Sequence, residues 1–506
     1  MFAIRYRHNI TSLLYHDLRE QFQNEIRILT SFTLQKRVLK LAGWKPERHD
    51  CCINSCIAYT GPFRRLESCP HCQAPWKDEH GQSSPYYTLP LAPQLTALYA
   101  ASGSTRQAMN HTAQMLDSFD PSIIRDIHDA SVVHSLLGKK VVVNNREQGH
   151  TYFEDKRDVP LGLMTDGFQC FKRARRGKAS AWPVILINYG RPVTERMRIE
   201  NIIPFALIPG PNQPKDFNSF LFPLKADLDT LATGIQAYDS AQDALFELHA
   251  YLVVAIGDMQ AVKHFSCMKG PGAKRPCRRC NIKGIWCQAR RKYYVPLRPP
   301  DDDDPPLRQA YDPERLPLRT TAQVIQQLQE IRQETRLTAR DQLTTKFGIV
   351  GESVLNSMPG FHRILGYPHE YMHLLFENII PMLVCLWKGD FRDVDNASQP
   401  YVISAENWEK IGRLTVESNR YIPSSFSRLI PNIHSNQSLF TAEAYAFWFV
   451  HMAPTLLRGC FSEERYYKHT MCLVKIVEKC LQFEITHEGI DILEFNIKIW
   501  VEKFEK

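Results

Sequence analysis

Two tight cysteine pairs constrain this chain more than any other feature of its sequence. Three residues separate Cys52 from Cys56, two separate Cys69 from Cys72, and twelve lie between the pairs. That spacing suits a tetrahedral zinc site of four thiolates in a small ribbon, with Cys51 and His71 as alternative ligands. Such knuckles organise a segment too poor in apolar residues to fold alone. Disulfides fit less well. The N-terminus MFAIRYRHNITSLLYHDLRE has no apolar stretch fit for a secretory signal, so the fourteen cysteines are expected to stay reduced.

A second pair, Cys277-Arg-Arg-Cys280, supplies two ligands and needs partners from elsewhere. His369 and His373, one helical turn apart, are the candidates for a second zinc site. A redox dithiol is disfavoured, because this CxxC sits in a basic, loop-like stretch without a βαβ context.

The chain of 506 residues is 44% apolar, enough for several domains and at least one large core. No apolar run approaches the roughly 20 residues of a membrane span, so the expectation is a soluble intracellular protein. A net charge of +8 is small for this length and matters through its distribution. Nine basic and no acidic residues fall between Cys267 and Lys292, among them Lys274, Arg275, Arg278 and Arg279. A second cluster, Lys172, Arg173, Arg175, Arg176 and Lys178, follows shortly after Asp166. Such clusters grip phosphates and release counterions on binding nucleic acid. Trp286, Tyr293 and Tyr294 are placed to stack on bases.

The apolar pattern predicts a helical segment over 1–45, the Cys-rich module over 46–80 and a helical connector over 81–140. Strands follow, at 159–168, 182–190 and 200–210. Asp216 then caps a helix carrying Phe217, Phe220, Leu221, Leu224, Leu228 and Leu231 at helical spacing, and 248–258 reads as a buried fourth strand. This order predicts a mixed α/β sheet. An insertion over 263–359 holds the CxxC, the acidic linker PPDDDDPP and a polar helix near 321–343. Residues 396–506 read as a helical C-terminal region.

The first and fourth strands end near Asp166 and Asp258. If the two strands are parallel neighbours, as in a ribonuclease H-like sheet, both carboxylates meet at one sheet edge, where a cation would balance them. A third carboxylate can come from PHEYMHLLFENIIP, where Glu370, His373 and Glu377 share a helix face.

LMTDGFQCFK, SAWPVILINYG, ENIIPFALIPGPNQPKDFNSFL, MKGPGAKRPCRRCNIKG and YMHLLFENIIPMLVCLWKG, in this order, closely resemble CACTA (En/Spm-class) DNA transposases, the fungal-type forms above all. The resemblance spans roughly residues 45 to 480. It implies a ribonuclease H-like core over 141–262 and 360–395, interrupted by the insertion, with a DDE triad on Asp166, Asp258 and Glu377. Those three would hold Mg²⁺ (or Mn²⁺) for cut-and-paste cleavage at transposon ends and strand transfer into target DNA. Relatives often carry Cys or Asp where this chain has Glu370, which leaves Glu370 as a rival third carboxylate and the second zinc set open. The implied partners are double-stranded DNA, further copies of the chain and an accessory end-binding protein, with no membrane and a nuclear location. The competing expectation is a domesticated or truncated copy that binds DNA without cutting it.

Overall fold

The computed structural model describes residues 10–169, 180–288, 290–299, 310–391 and 398–506. The basic cluster Lys172, Arg173, Arg175, Arg176 and Lys178 lies outside these residues, as does the DDDD linker.

A mixed sheet forms the centre. Its strands are β1 (Glu47–Cys51), β2 (Ser84–Thr88), β3 (Val159–Thr165), β4 (Ser180–Asn188), β5 (Ile203–Pro209) and β6 (Ala250–Ile256), with the short strand Phe168–Gln169 added beside β4. The spatial order is β1-β2-β5-β4-β3-β6. All neighbours are antiparallel except β3 and β6, which run parallel. Parallel strands carry near-continuous apolar runs because both faces are covered. Both strands obey this: Val159, Leu161 and Leu163 are fully buried, and every residue from Ala250 to Ala255 is buried.

Helix α1 (Asn218–Thr233) covers one face of this sheet. All six apolar residues predicted for it are buried in the sheet core. The Asp216 carboxylate accepts from Ser219 N at 3.1 Å and so satisfies one free N–H of the first turn.

Three features depart from the sequence reading. Residues 84–88, expected within a connector of loop and helices, form β2, whose partners Leu207 and Ala206 lie far along the chain. A hairpin, Ile235–Asp239 with Ala244–Leu248, precedes β6; only alternate residues such as Ala237, Phe246 and Leu248 are buried, so no apolar run marks it. The polar helix near 321–343 is two helices, Thr321–Gln333 and Leu337–Phe347, packed through Leu328, Ile331 and Phe347.

From Met372 onward the chain builds a second apolar core around Trp387, Trp408, Trp448 and Val477. Leu375, Phe376, Ile380, Leu383 and Val384, on the helical run that carries Glu377, belong to this C-terminal core and not to the sheet core. No helix among the described residues is long and apolar enough to cross a membrane.

Candidate active site and cysteine centre

The β3–β6 pairing sets two aspartates level with each other. Met164 pairs with Ile256, and Asp166 and Asp258 each follow two residues later. A bulge at Val253 decides this alignment: Leu252 faces Leu161, but Val254 faces Gly162. Continued without that extra residue, the register would bring Gly257 level with Asp166. Neighbouring strands lie about 4.8 Å apart, so the two chain segments that carry the aspartates leave the sheet as neighbours. Glycines keep the chain ends close here. A Cβ on Gly257 would stand 2.9 Å from Ala261 Cβ and 3.2 Å from the Thr165 carbonyl, and one on Gly167 would strike the Trp182 ring.

Asp258 also caps the helix that follows, α2 (Met259–Ser266). One oxygen accepts from Ala261 N at 2.6 Å, and the other has no hydrogen-bond partner among the described residues. Asp166 is exposed. The pair therefore offers free carboxylate oxygens at an open sheet edge, a donor set that fits a hard divalent cation.

The outer edge of β6 is met by Gly366, whose carbonyl accepts from Ala255 N at 2.7 Å. The chain that leaves this contact carries His369, Glu370, His373 and Glu377. Met372–Ile379 is wound as a π-helix, continued by the α-helix Ile380–Lys388. Glu370 accepts from Met372 N at 3.0 Å, from His373 N at 2.8 Å and from His373 Nδ1 at 2.6 Å. Its carboxylate is spent on the start of the helix. Among the described residues Glu377 has only His373 Nε2 nearby, at 3.7 Å, and its side chain is 46% exposed. Of the two rivals, Glu377 is the freer carboxylate.

The first cysteine set is assembled. Cys52, Cys56, Cys69 and Cys72 hold their Sγ atoms within 4.8 Å of one another, and all four are free thiols. Zn–S bonds of ~2.3 Å in a tetrahedron place sulfurs ~3.8 Å apart, so the set fits zinc. Each knuckle contains a left-handed residue, Ser55 (φ 59°) and Gln73 (φ 60°), which turns the chain tightly around the sulfurs. Asn54 N and its side-chain amide donate to Cys52 and Cys72 at 3.4 and 3.5 Å. The Asn54 amide brings the Cys72 thiol down to about 6, while burial pushes Cys52 up to about 11 and Cys56 upward as well. Buried thiols resist ionisation without a cation, and a bound metal removes that cost.

This module sits between β1 and β2 and is locked to the sheet. Ser55 Oγ donates to the Pro209 carbonyl at 2.5 Å, and Lys215 N and Asp216 N both donate to the Cys56 carbonyl at 2.9 Å.

The second set is only partly gathered. Cys277, Cys280 and His369 line one cleft of ≈ 490 Å³, whereas His373 is engaged by Glu370 and Glu377. The Cys280 thiol beside it brings Cys277 down to about 6, and desolvation with the nearby Arg278 and Arg279 charges brings His369 down to about 4. Among the described residues, neither Cys277–Cys280–His369–His373 nor Asp166–Asp258–Glu377 has all its ligand atoms within 4.8 Å.

Of Lys274, Arg275, Arg278 and Arg279, the insertion residues read as DNA-binding, two are committed to holding loops together. Arg278 donates to the Tyr367 and Pro368 carbonyls at 2.9 and 2.6 Å, and Arg275 donates to the Asn281 carbonyl. Lys274 and Arg279 have no such side-chain bonds among the described residues.

Sequence reasoning missed one further cluster, His111, Asp126 and His128. Arg196 already balances it, donating through both terminal nitrogens to Asp126, whose other partners are His111 Nε2 at 2.8 Å and Ile127 N at 2.7 Å. Burial alone would raise the Asp126 carboxyl, but Arg196 and the two histidines hold it well below the usual carboxylate range. The group works as a buried ion-pair network. No pairwise spacing in the sequence announces it, since Arg196 lies 70 residues from Asp126.

Residues 129–296 match the family described as Transposase family tnp2. The matched segment contains Asp166, Asp258, Cys277 and Cys280 and stops short of Glu377. No curated protein is significantly similar to the chain.

Proposed function

We propose that this chain is a cut-and-paste DNA transposase of the CACTA (En/Spm) type, with a ribonuclease H-like core built on the β5-β4-β3-β6 strands. The observation that carries the reading is the alignment of Asp166 with Asp258 at the ends of parallel neighbouring strands, inside the segment that matches a transposase family. In this reading Asp166, Asp258 and Glu377 hold Mg²⁺ (or Mn²⁺). The cation supplies water activation and charge neutralisation at a phosphodiester. The reaction is hydrolysis at an element end, after which the freed 3′-OH attacks target DNA.

The protein's own contribution is placement. Asp258 is held by its cap bond to Ala261 N, and the backbone of Asp166 is set by the buried strand it follows, so both positions are fixed before DNA arrives. Glu377 enters from the C-terminal helical core, which makes completion of the triad depend on how that core meets the sheet. Lys274, Arg279 and the 172–178 cluster grip phosphates, which position DNA without reading its sequence. Cys52, Cys56, Cys69 and Cys72 hold a structural zinc that fixes the module at the end of β5. Cys277, Cys280 and His369 form part of a second zinc site. The protein acts in the nucleus as a homo-oligomer, with an accessory protein assisting at the element ends.

The test is nicking of supercoiled plasmid by the full chain in Mg²⁺ or Mn²⁺, with Asp166→Asn alongside. Nicking by the wild type alone supports the reading. Tight DNA binding with no cleavage by either protein would establish the non-catalytic reading instead.

A further inference from the structure

The cleft that Cys277, Cys280 and His369 line on one side has a further wall, which neither the proposed zinc site nor the cleavage chemistry uses. One side is the first turn and a half of α2, with Met259, Val262 and Lys263 following directly on Asp258. The opposing side is a small hairpin, Ile285–Cys287 paired with Lys292–Tyr294, which supplies Lys292, Tyr293 and Tyr294. The volume of ≈ 490 Å³ falls within the roughly 300–1,000 Å³ of small-ligand sites.

The hairpin is fixed in place and not merely draped across the cleft. Tyr293 N donates to the Gly272 carbonyl at 3.1 Å, and Gly284 N donates to the Lys274 carbonyl at 2.8 Å. Gly284 permits this approach, since a Cβ there would stand 2.9 Å from both Tyr293 Cβ and the Tyr294 carbonyl. The aromatic wall is therefore presented at little entropic cost. Tyr294 is 45% exposed, and Trp286, also 46% exposed, backs Tyr293 edge-on at 5.0 Å between ring centres.

The lining chemistry is selective. Of the residues around the cleft, Lys263, Arg278 and Lys292 are cationic and none is a carboxylate. Lys263 and Lys292 have no carboxylate partner among the described residues, and Lys292 Nζ stands 5.4 Å over the Tyr294 ring. One exposed tyrosine face, that of Tyr294, beside unpaired lysines, with an apolar floor and no acidic group, matches an unstacked base on an anionic backbone. A double helix offers phosphates but no free base face.

We infer that this cleft binds an unpaired nucleobase of the DNA strand, stacked on Tyr294, with its phosphate held by Lys263 and Lys292. The inference rests on the transposase reading for its DNA substrate. It goes further in assigning the insertion a grip on single-stranded DNA next to Asp258, which would hold a strand end once its partner has been cut away.

The test uses the full chain and short oligonucleotides carrying 2-aminopurine, either single-stranded or in a duplex with one unpaired position. Binding to the wild type should change the 2-aminopurine emission at the unpaired position. Tyr294→Ala should weaken that binding by roughly 5- to 150-fold, while Tyr294→Phe, which keeps the ring, restores it. Fully paired duplex should bind all three proteins alike. Photo-crosslinking of 5-iodouracil oligonucleotides to the wild type covers the case in which Tyr294→Ala does not fold: crosslinks at Tyr294 support the site. Crosslinks confined to other residues, or equal loss of duplex and single-strand binding in Tyr294→Ala, would overturn it. The two readings separate cleanly. Plasmid nicking with no tyrosine-dependent single-strand binding removes this cleft alone, whereas tyrosine-dependent binding without nicking by the wild type removes the transposase reading alone.

Discussion

Asp166 and Asp258 stand level at the carboxyl ends of adjacent parallel strands, each two residues beyond the Met164–Ile256 pair. Ninety-one residues of chain lie between them in sequence, and the single extra residue at Val253 is what brings Asp258 rather than Gly257 opposite Asp166. Like charges at neighbouring strand ends repel, and a bound divalent cation would offset that repulsion.

Cleavage should depend on both aspartates without their contributing to DNA affinity. Asp166→Asn and Asp258→Asn are each expected to lower plasmid nicking by about 10²–10³-fold or more. Gel-shift affinity for DNA should remain within a few-fold of wild type, or rise slightly as repulsion of phosphate is removed.

Glu370 and Glu377 should separate into a structural and a catalytic role. Glu377→Gln is expected to abolish nicking and leave thermal stability unchanged, because its side chain makes no close bond among the described residues. Glu370→Ala removes the cap on Met372 N and His373 N, and should cost about 1 kcal/mol of stability while retaining partial activity. Nicking and thermal melts on the two variants check this directly.

The four-cysteine module should carry one zinc that the sheet depends on. Cys69→Ser is expected to remove one equivalent of zinc per chain by elemental analysis. Ser55 and Cys56 tie the module to β5 and to the turn before α1, so melting should shift downward for the sheet as well. A Cys460→Ser control, away from both cysteine sets, should keep its zinc.

Asp158 should make the sheet core less stable as pH rises. Burial pushes its carboxyl up to about 6, even though His249 Nδ1 bonds to it at 3.1 Å, and its second oxygen has no partner among the described residues. A folded value above the ordinary 3.8 means the stabilising contribution is complete below that pH and is lost as pH rises through about 6. Asp158→Asn is neutral throughout. Its stability relative to wild type should therefore improve by roughly 3 kcal/mol between about pH 4 and pH 7.5 in denaturant titrations.

The strands β3, β4, β5 and β6 and helix α1 were legible because each buries a continuous or helically spaced apolar face. β2 and the 235–248 hairpin were not. Their burial comes from partners distant in sequence or from alternate residues only, so local hydrophobicity is weak. The same division runs through the site. Close spacing announced Cys52, Cys56, Cys69 and Cys72, since knuckle ligands must lie within a few residues of each other. Arg275 and Arg278 read as DNA-facing from charge, yet they donate to the Asn281, Tyr367 and Pro368 carbonyls. A guanidinium serves a buried carbonyl as readily as a phosphate, and sequence cannot say which one is nearby.

By itself the sequence determined the chemistry available: a thiolate set at zinc spacing, carboxylates at strand ends and basic residues close by. The tertiary structure decided which of these meet. It aligned Asp166 with Asp258 through a parallel pairing and a bulge, and assigned Glu370 to a helix start while leaving Glu377 open. It also grouped His369 with Cys277 and Cys280 while engaging His373 elsewhere. The physical reason is range. Local spacing fixes what one turn or knuckle can do, whereas register, capping and cleft walls depend on segments joined only when the core closes.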